Sequence, residues 1–260
     1  MNALRYFIAQ SKYNLKNAHA LSHSFWIGVV SMMVNNLTFF IVWLLFMKAT
    51  GPINGWTSLD VFGMVGIAML TYGFSHAFFY GINDLPQSVA RGTFDYVLLS
   101  PTNMFFKLSG SSFVVTAYGD LLQGVGVTIL YGILMHFSFF SWILFSLGIL
   151  IGCIIHTCIR LLYALVVFFV HDGDTIYQQL FAIFNRPTLY PGALFPNKLK
   201  ILFMTLIPAL LTSAVPIDIV KLHSLKLIGF AAFVTLTWVL ITSFIFKISV
   251  RRYESGNYLR

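Results

Sequence analysis

The chain has 260 residues, 58% of them hydrophobic and only 9% Asp, Glu, Lys or Arg. About a quarter of a soluble domain is charged, so this composition excludes one and places the chain in a bilayer. The net charge of +8 would suit nucleic acid, but the positive residues sit beside apolar runs, which points to membrane topology and away from a nucleic-acid partner. Apolar residues run on without alternating, so helices are predicted and a β-barrel is not.

Residues 3–20, inside an N-terminal segment 1–22, mix Tyr6, Phe7, Tyr13 and Leu15 with Arg5, Lys12 and Lys16. This predicts an amphipathic helix lying along the membrane interface. No acidic or basic residue falls between Lys16 and Lys48, which places a first span at about 24–47. That run is too long for a signal-peptide core and no small-residue cleavage site follows it, so the span is expected to be retained. Asn35 and Asn36 within it are read as interhelical hydrogen-bonding groups. Turn residues at 49–56 predict an outer loop over 48–59. A second span at about 58–81 carries His76, read in the same way as the asparagines.

The loop 83–107, NDLPQSVARGTFDYVLLSPTNMFFK, is far longer than a connection needs. Its mixture of charged and apolar residues suits a soluble partner. Gly92 permits a helix break and Pro101 stops what precedes it. Phe94, Val97, Leu98 and Leu99 between them form an apolar anchor, expected to dock outside the bilayer; the plainer reading sinks the four into the interface.

A third span at about 110–135 contains Asp120. Intramembrane acids are costly and face protein or water. Asp120 lies on a line of four-residue steps with Ser112, Thr116, Gly124, Thr128 and Gly132, and small residues permit close helix approach. The favoured reading is a packed acid hydrogen-bonded to a neighbouring span; the alternative is an acid lining a pathway. After a tight hairpin near His136, a fourth span at about 140–168 carries Gly148, Gly152, His156 and Arg160. His156 and Arg160 are candidate partners of Asp120, although Arg160 is expected to snorkel to the cytoplasmic face. Cys153 and Cys158 fall on different helix faces, so neither a disulfide nor a metal site is expected.

Residues 171–226 leave two paths open. In one, 175–195 spans and 196–222 forms a re-entrant hairpin on the outside. In the other, 201–217 spans and the preceding part is cytoplasmic, which the positive-inside rule favours through Arg186, Lys198 and Lys200. His171-Asp172-Gly173-Asp174 is read as a wet loop, because no second ligand cluster and no nucleophile elbow accompany it. A last span at about 227–249 is closed by Lys247, Arg251, Arg252 and Arg260. Basic residues at both ends place both termini in the cytoplasm and require an even number of spans, six. The chain has no phosphate-binding loop and no internal repeat. A secondary transporter driven by an ion gradient would need repeats or ion ligands, and stands second.

Two blocks carry a family resemblance. Gly92 to Pro101 reads Gly-Thr-Phe-Asp-Tyr-x-Leu-Leu-x-Pro, close to G-x-x-[DE]-x-L-L-x-x-P. Tyr190-Pro191-Gly192-Ala193-Leu194-Phe195-Pro196, followed by Ile207-Pro208 and Pro216, is similar to a proline-punctuated segment before a last span. With the basic amphipathic start, the chain resembles over nearly its whole length an ABC-2-type permease, the six-span export subunit of an ATP-binding cassette transporter. Arg186-Pro187 with the separated Tyr190-Pro191 departs from the usual spacing. The resemblance implies one all-α polytopic membrane domain over 1–260, multi-pass in a bacterial plasma or inner membrane. It implies a cytoplasmic coupling loop (83–107, with Arg91, Gly92, Phe94, Asp95, Val97, Leu98, Leu99 and Pro101) seated on a separate ATPase, which holds the ATP and Mg. The segment 190–222, with Pro191, Pro196, Pro208 and Pro216, would close the outer side of the pathway. Asn35, Asn36, His76, Asp120 and His156 become pathway or helix-packing candidates. Further partners would be a second permease and membrane lipid; the substrate would be amphiphilic or hydrophobic. No catalytic, cofactor-binding or metal residue is implied in this chain.

Overall fold

A computed structural model describes residues 3–20, 22–99, 103–170 and 172–253. Pro101, His171 and Arg260 lie outside the described residues. Among those described, the chain is helical, without strands beyond a single bridge between Ile53 and Trp56. Five helices are long and apolar enough to cross a membrane: α2 (Ser22–Thr50), α3 (Ser58–Phe79), α7 (Thr116–Leu134), α8 (Phe139–Ala164) and α12 (Leu225–Arg252). The ends of these helices are set by local chemistry. Thr57 and Asp60 close a capping box on α3, and Ser138 and Ser224 cap α8 and α12 through their hydroxyls. Each such cap satisfies amides that a helix N-terminus leaves open.

The first helix, α1 (Ala3–Ala20), the segment after α3 and the end of α12 gather at one end of the bundle, the loop end. Phe7 stacks on Phe79 with centroids 5.2 Å apart, and Lys107 donates to the Tyr6 hydroxyl at 2.9 Å. Arg5, Lys12 and Lys16 stay exposed on the opposite face of α1. Between α3 and α7 the chain forms α4 (Leu85–Ala90), α5 (Asp95–Leu98) and α6 (Met104–Ser109).

Helices α3 and α7 pack most closely, because glycines remove the side chains that would separate them. A Cβ on Gly73 would lie 2.5 Å from the Leu121 nitrogen, and one on Gly124 would lie 2.4 Å from the Leu70 nitrogen. Gly148 and Gly152 of α8 serve a different contact. They face Pro216 and the Leu211 carbonyl, in the segment that precedes α12, and Gly152 also meets the Thr71 methyl of α3.

That segment starts with α9 (Gly173–Thr188), about 24 Å long at 1.5 Å per residue. Near its start the Tyr177 hydroxyl donates to Asn83 at 2.8 Å, and just past its end the Leu189 carbonyl accepts from Trp43 at 3.1 Å. It therefore carries the chain from the loop end to the opposite, hairpin end. There α10 (Asn197–Thr205) enters the bundle, Ala209–Thr212 makes a buried 3₁₀ turn, and α11 (Ala214–Leu222) returns. Pro208 supplies no N–H and disfavours a helical residue before it, which explains the break. Freed backbone groups inside a membrane protein must find partners. Here Thr71 donates to the Thr212 carbonyl at 2.9 Å and Trp238 to the Thr205 carbonyl at 2.8 Å. Thr71, Gly152 and Trp238 lie near the middle of their helices, so the hairpin tip reaches mid-depth.

Candidate functional site

At mid-depth a cavity of about 380 Å³ lies between α2, α3, α7, α8 and α9, with buried Thr212 of the hairpin in its lining. The Asn36 amide of α2 donates to Asp120 Oδ1 of α7 at 2.7 Å. Both residues are buried and both line the cavity, so Asp120 is packed against a neighbouring span and also forms part of a cavity wall. Asn35 stands exposed at the mouth. His156 lines the α8 wall, its Nε2 3.3 Å from Asn185 Oδ1. His76 lies behind that wall: its ring stacks on Tyr72 at 3.8 Å and its Nδ1 is 3.0 Å from the Tyr72 carbonyl.

Four of the five candidate residues thus share one cavity. Tyr72 and the α9 face formed by Gln178, Phe181 and Asn185 complete it, and these were not singled out from sequence as lining. Their spacing of three and four residues was the available signal, hidden by the uncertain path of this stretch.

Arg160 corrects an expectation. It does not snorkel and does not pair with Asp120. It is fully buried one turn along from His156, its guanidinium donating to the Phe79 carbonyl, with Nε and Nη1 unpartnered. The end of α3 at Phe79 meets the guanidinium, and the residue is enclosed before it reaches an edge. Among the described residues the ion pairs are Lys200–Asp218 at 3.4 Å and Lys221–Asp60 at 2.7 Å. The second is the centre of a knot at the hairpin end. Tyr131 of α7 donates to Asp60 at 3.1 Å, and Lys221 also donates to the Gly55 carbonyl and lies over the Trp56 ring. The T-x-x-D capping pattern at Thr57–Asp60 was legible in sequence; Lys221, 161 residues away, was not.

The second candidate region is the loop end. Leu85 and Val89 of α4 are buried. Gly92 adopts φ +70°, the left-handed conformation that glycine reaches without a Cβ penalty. The chain then turns back, and the Phe94 amide donates to the Ser88 carbonyl at 3.1 Å. Phe94, expected outside the bilayer as an open anchor, is fully buried, with its ring centroid 5.5 Å from that of Phe168 and 5.1 Å from that of Tyr253. Val97 is buried too, Leu98 and Asp95 are half-buried, and Arg91 is exposed. The apolar groups presented outward are Leu99, 82% exposed, and Tyr96, 76% exposed. One turn of helix cannot point all four apolar residues one way, so the anchor divides into a root and a face.

Residues 33–256 match the family model for ABC-2 family transporter protein. The chain belongs to that family. No curated protein and no solved structure matches it. The chain is therefore a multi-pass ABC transporter permease. In this ABC-2 permease the mid-depth cavity and the exposed loop face lie at different depths, joined by α3, which lines the first and leads through α4 to the second.

Proposed function

We propose that this permease forms an export pathway driven by a separate ATP-binding cassette ATPase, which carries ATP and Mg. The chain crosses the membrane six times, with α9 as the short fifth crossing. The loop end faces the cytoplasm, together with both termini. The α10–α11 hairpin, with Pro191, Pro196, Pro208 and Pro216 at its breaks, is re-entrant and closes the outer side. Two permeases, identical or related, enclose the pathway along their mid-depth cavities. The substrate is amphiphilic or hydrophobic.

One observation carries this reading: Tyr96 and Leu99 stand exposed on a short helix whose root, Phe94, is buried in the bundle. A rigid foot of this kind transmits displacement to the spans instead of flexing. Interface energy concentrates in a few anchors, typically about 1–3 kcal/mol each. Tyr96→Ala with Leu99→Ala should therefore release the ATPase during purification while the permease stays monodisperse and expressed at the wild-type level. Full retention of the ATPase by the double variant, or no ATPase bound to wild type, defeats the coupling assignment. The second result would favour an ion-driven transporter.

A further inference from the structure

We infer that the mid-depth cavity recognises a lipophilic organic cation, with Asp120 as its counter-charge. This rests on the permease reading and names the substrate class of that cavity. Asp120 is 3% exposed. One of its oxygens accepts from Asn36; among the described residues the other has no protein donor, and the residue forms part of the cavity wall. No Lys or Arg lines the cavity, and His156 is the lining residue besides Asp120 whose other protonation state would be a cation. Arg160 is outside the lining and is held on the Phe79 carbonyl. The carboxylate is thus an uncompensated acid facing a space at membrane depth, where a cation is the complement.

The remaining walls fit the same ligand. Phe39, Tyr72 and Phe181 offer aromatic faces, which attract cations most when water is excluded. Met32 and Met69 add polarizable, adaptable surface. The volume of about 380 Å³ is in the range of small-molecule pockets, about 300–1,000 Å³. A second cavity of about 600 Å³, between α3, α6, α8 and α12, holds Lys247 and no carboxylate, so a cation distinguishes between the two.

The test uses tetraphenylphosphonium and tetraphenylborate, which share shape and lipophilicity and differ in sign. Binding is measured on the full chain in phosphatidylcholine nanodiscs. Wild type should bind the phosphonium saturably and the borate no better than empty discs. Asp120→Asn should weaken phosphonium binding about tenfold or more, as loss of a desolvated charge partner does, whereas Asp120→Glu should retain most of it. Phe39→Ala, at a position 37% exposed and so tolerant of truncation, should weaken it severalfold; this variant decides the matter if Asp120→Asn does not fold. Equal binding of both ions by wild type, absence of saturable phosphonium binding, or wild-type affinity in folded Asp120→Asn overturns the inference. An ATPase that co-purifies with a permease lacking cation binding would leave the permease reading standing and sink this one. Cation binding by a chain that has no ATPase partner would do the reverse.

Discussion

Phe94 shows how much depends on which way a side chain points. Its ring meets Phe168 from the end of the fourth span and Tyr253 from the end of the last, so it fastens the loop to two distant parts of the chain. Burying a phenylalanine and then truncating it to alanine costs about 3–5 kcal/mol. Phe94→Ala is accordingly expected to lower the thermal stability of the detergent-solubilised permease and its folded yield. Leu99→Ala, at a residue 82% exposed, should leave both unchanged. Melting curves by fluorescence-detected size exclusion separate the two, and equal melting temperatures for Phe94→Ala and wild type would contradict the buried root.

Among the elements, the α10–α11 hairpin is the least self-sufficient. Its break leaves the Thr205 and Thr212 carbonyls to side chains of other helices, Trp238 and Thr71, and its tip depends on the space that Gly152 leaves. A Cβ at Gly152 already lies 3.0 Å from both the Leu211 carbonyl and the Thr71 methyl, and a larger side chain meets backbone that cannot give way. Gly152→Leu should therefore displace the tip. A cysteine placed at Thr212, fully buried in the intact chain, should be unreactive to a polar maleimide in a background lacking Cys153 and Cys158. With Gly152→Leu added it should be labelled. Protection in both would mean that the bundle absorbs the change elsewhere.

Over the whole molecule, the knot around Asp60 joins the α2–α3 loop, α3, α7 and the hairpin through side chains 71 and 161 residues from Asp60. Asp60 is buried and Lys221 half-buried; removing one partner of a fully buried ion pair costs about 3–5 kcal/mol, an upper bound here, while replacing both with apolar groups is often close to neutral. Lys221→Met should destabilise the permease strongly, and Asp60→Leu combined with Lys221→Met should recover much of the loss in a thermal double-mutant cycle. Additive losses would rule out the coupling. The orientation is open to a direct measurement as well. Thr93 and Asn54 are both exposed, at opposite ends. A cysteine at 54 should react with an impermeant reagent applied to intact cells and one at 93 should not; labelling at 93 would invert the topology.

Membrane class, the five long spans and the burial of Asp120 were legible in the sequence alone. Each follows from local chemistry: a run of about 20 apolar residues cannot stay in water, and an acid inside such a run has to find a donor. The identity of that donor was not legible, since Asn36 lies 84 residues from Asp120 and no local pattern links them. The same limit applied to residues 171–226, for which local patterns left two paths open. Hydropathy assigns a residue to the membrane but does not say which neighbour it meets there. Tertiary packing decided that Phe94 is a root and Leu99 a face, that Arg160 is enclosed, and that Gly148 and Gly152 seat a hairpin. In each case the deciding contacts come from helices far along the chain, and only the folded bundle brings them together.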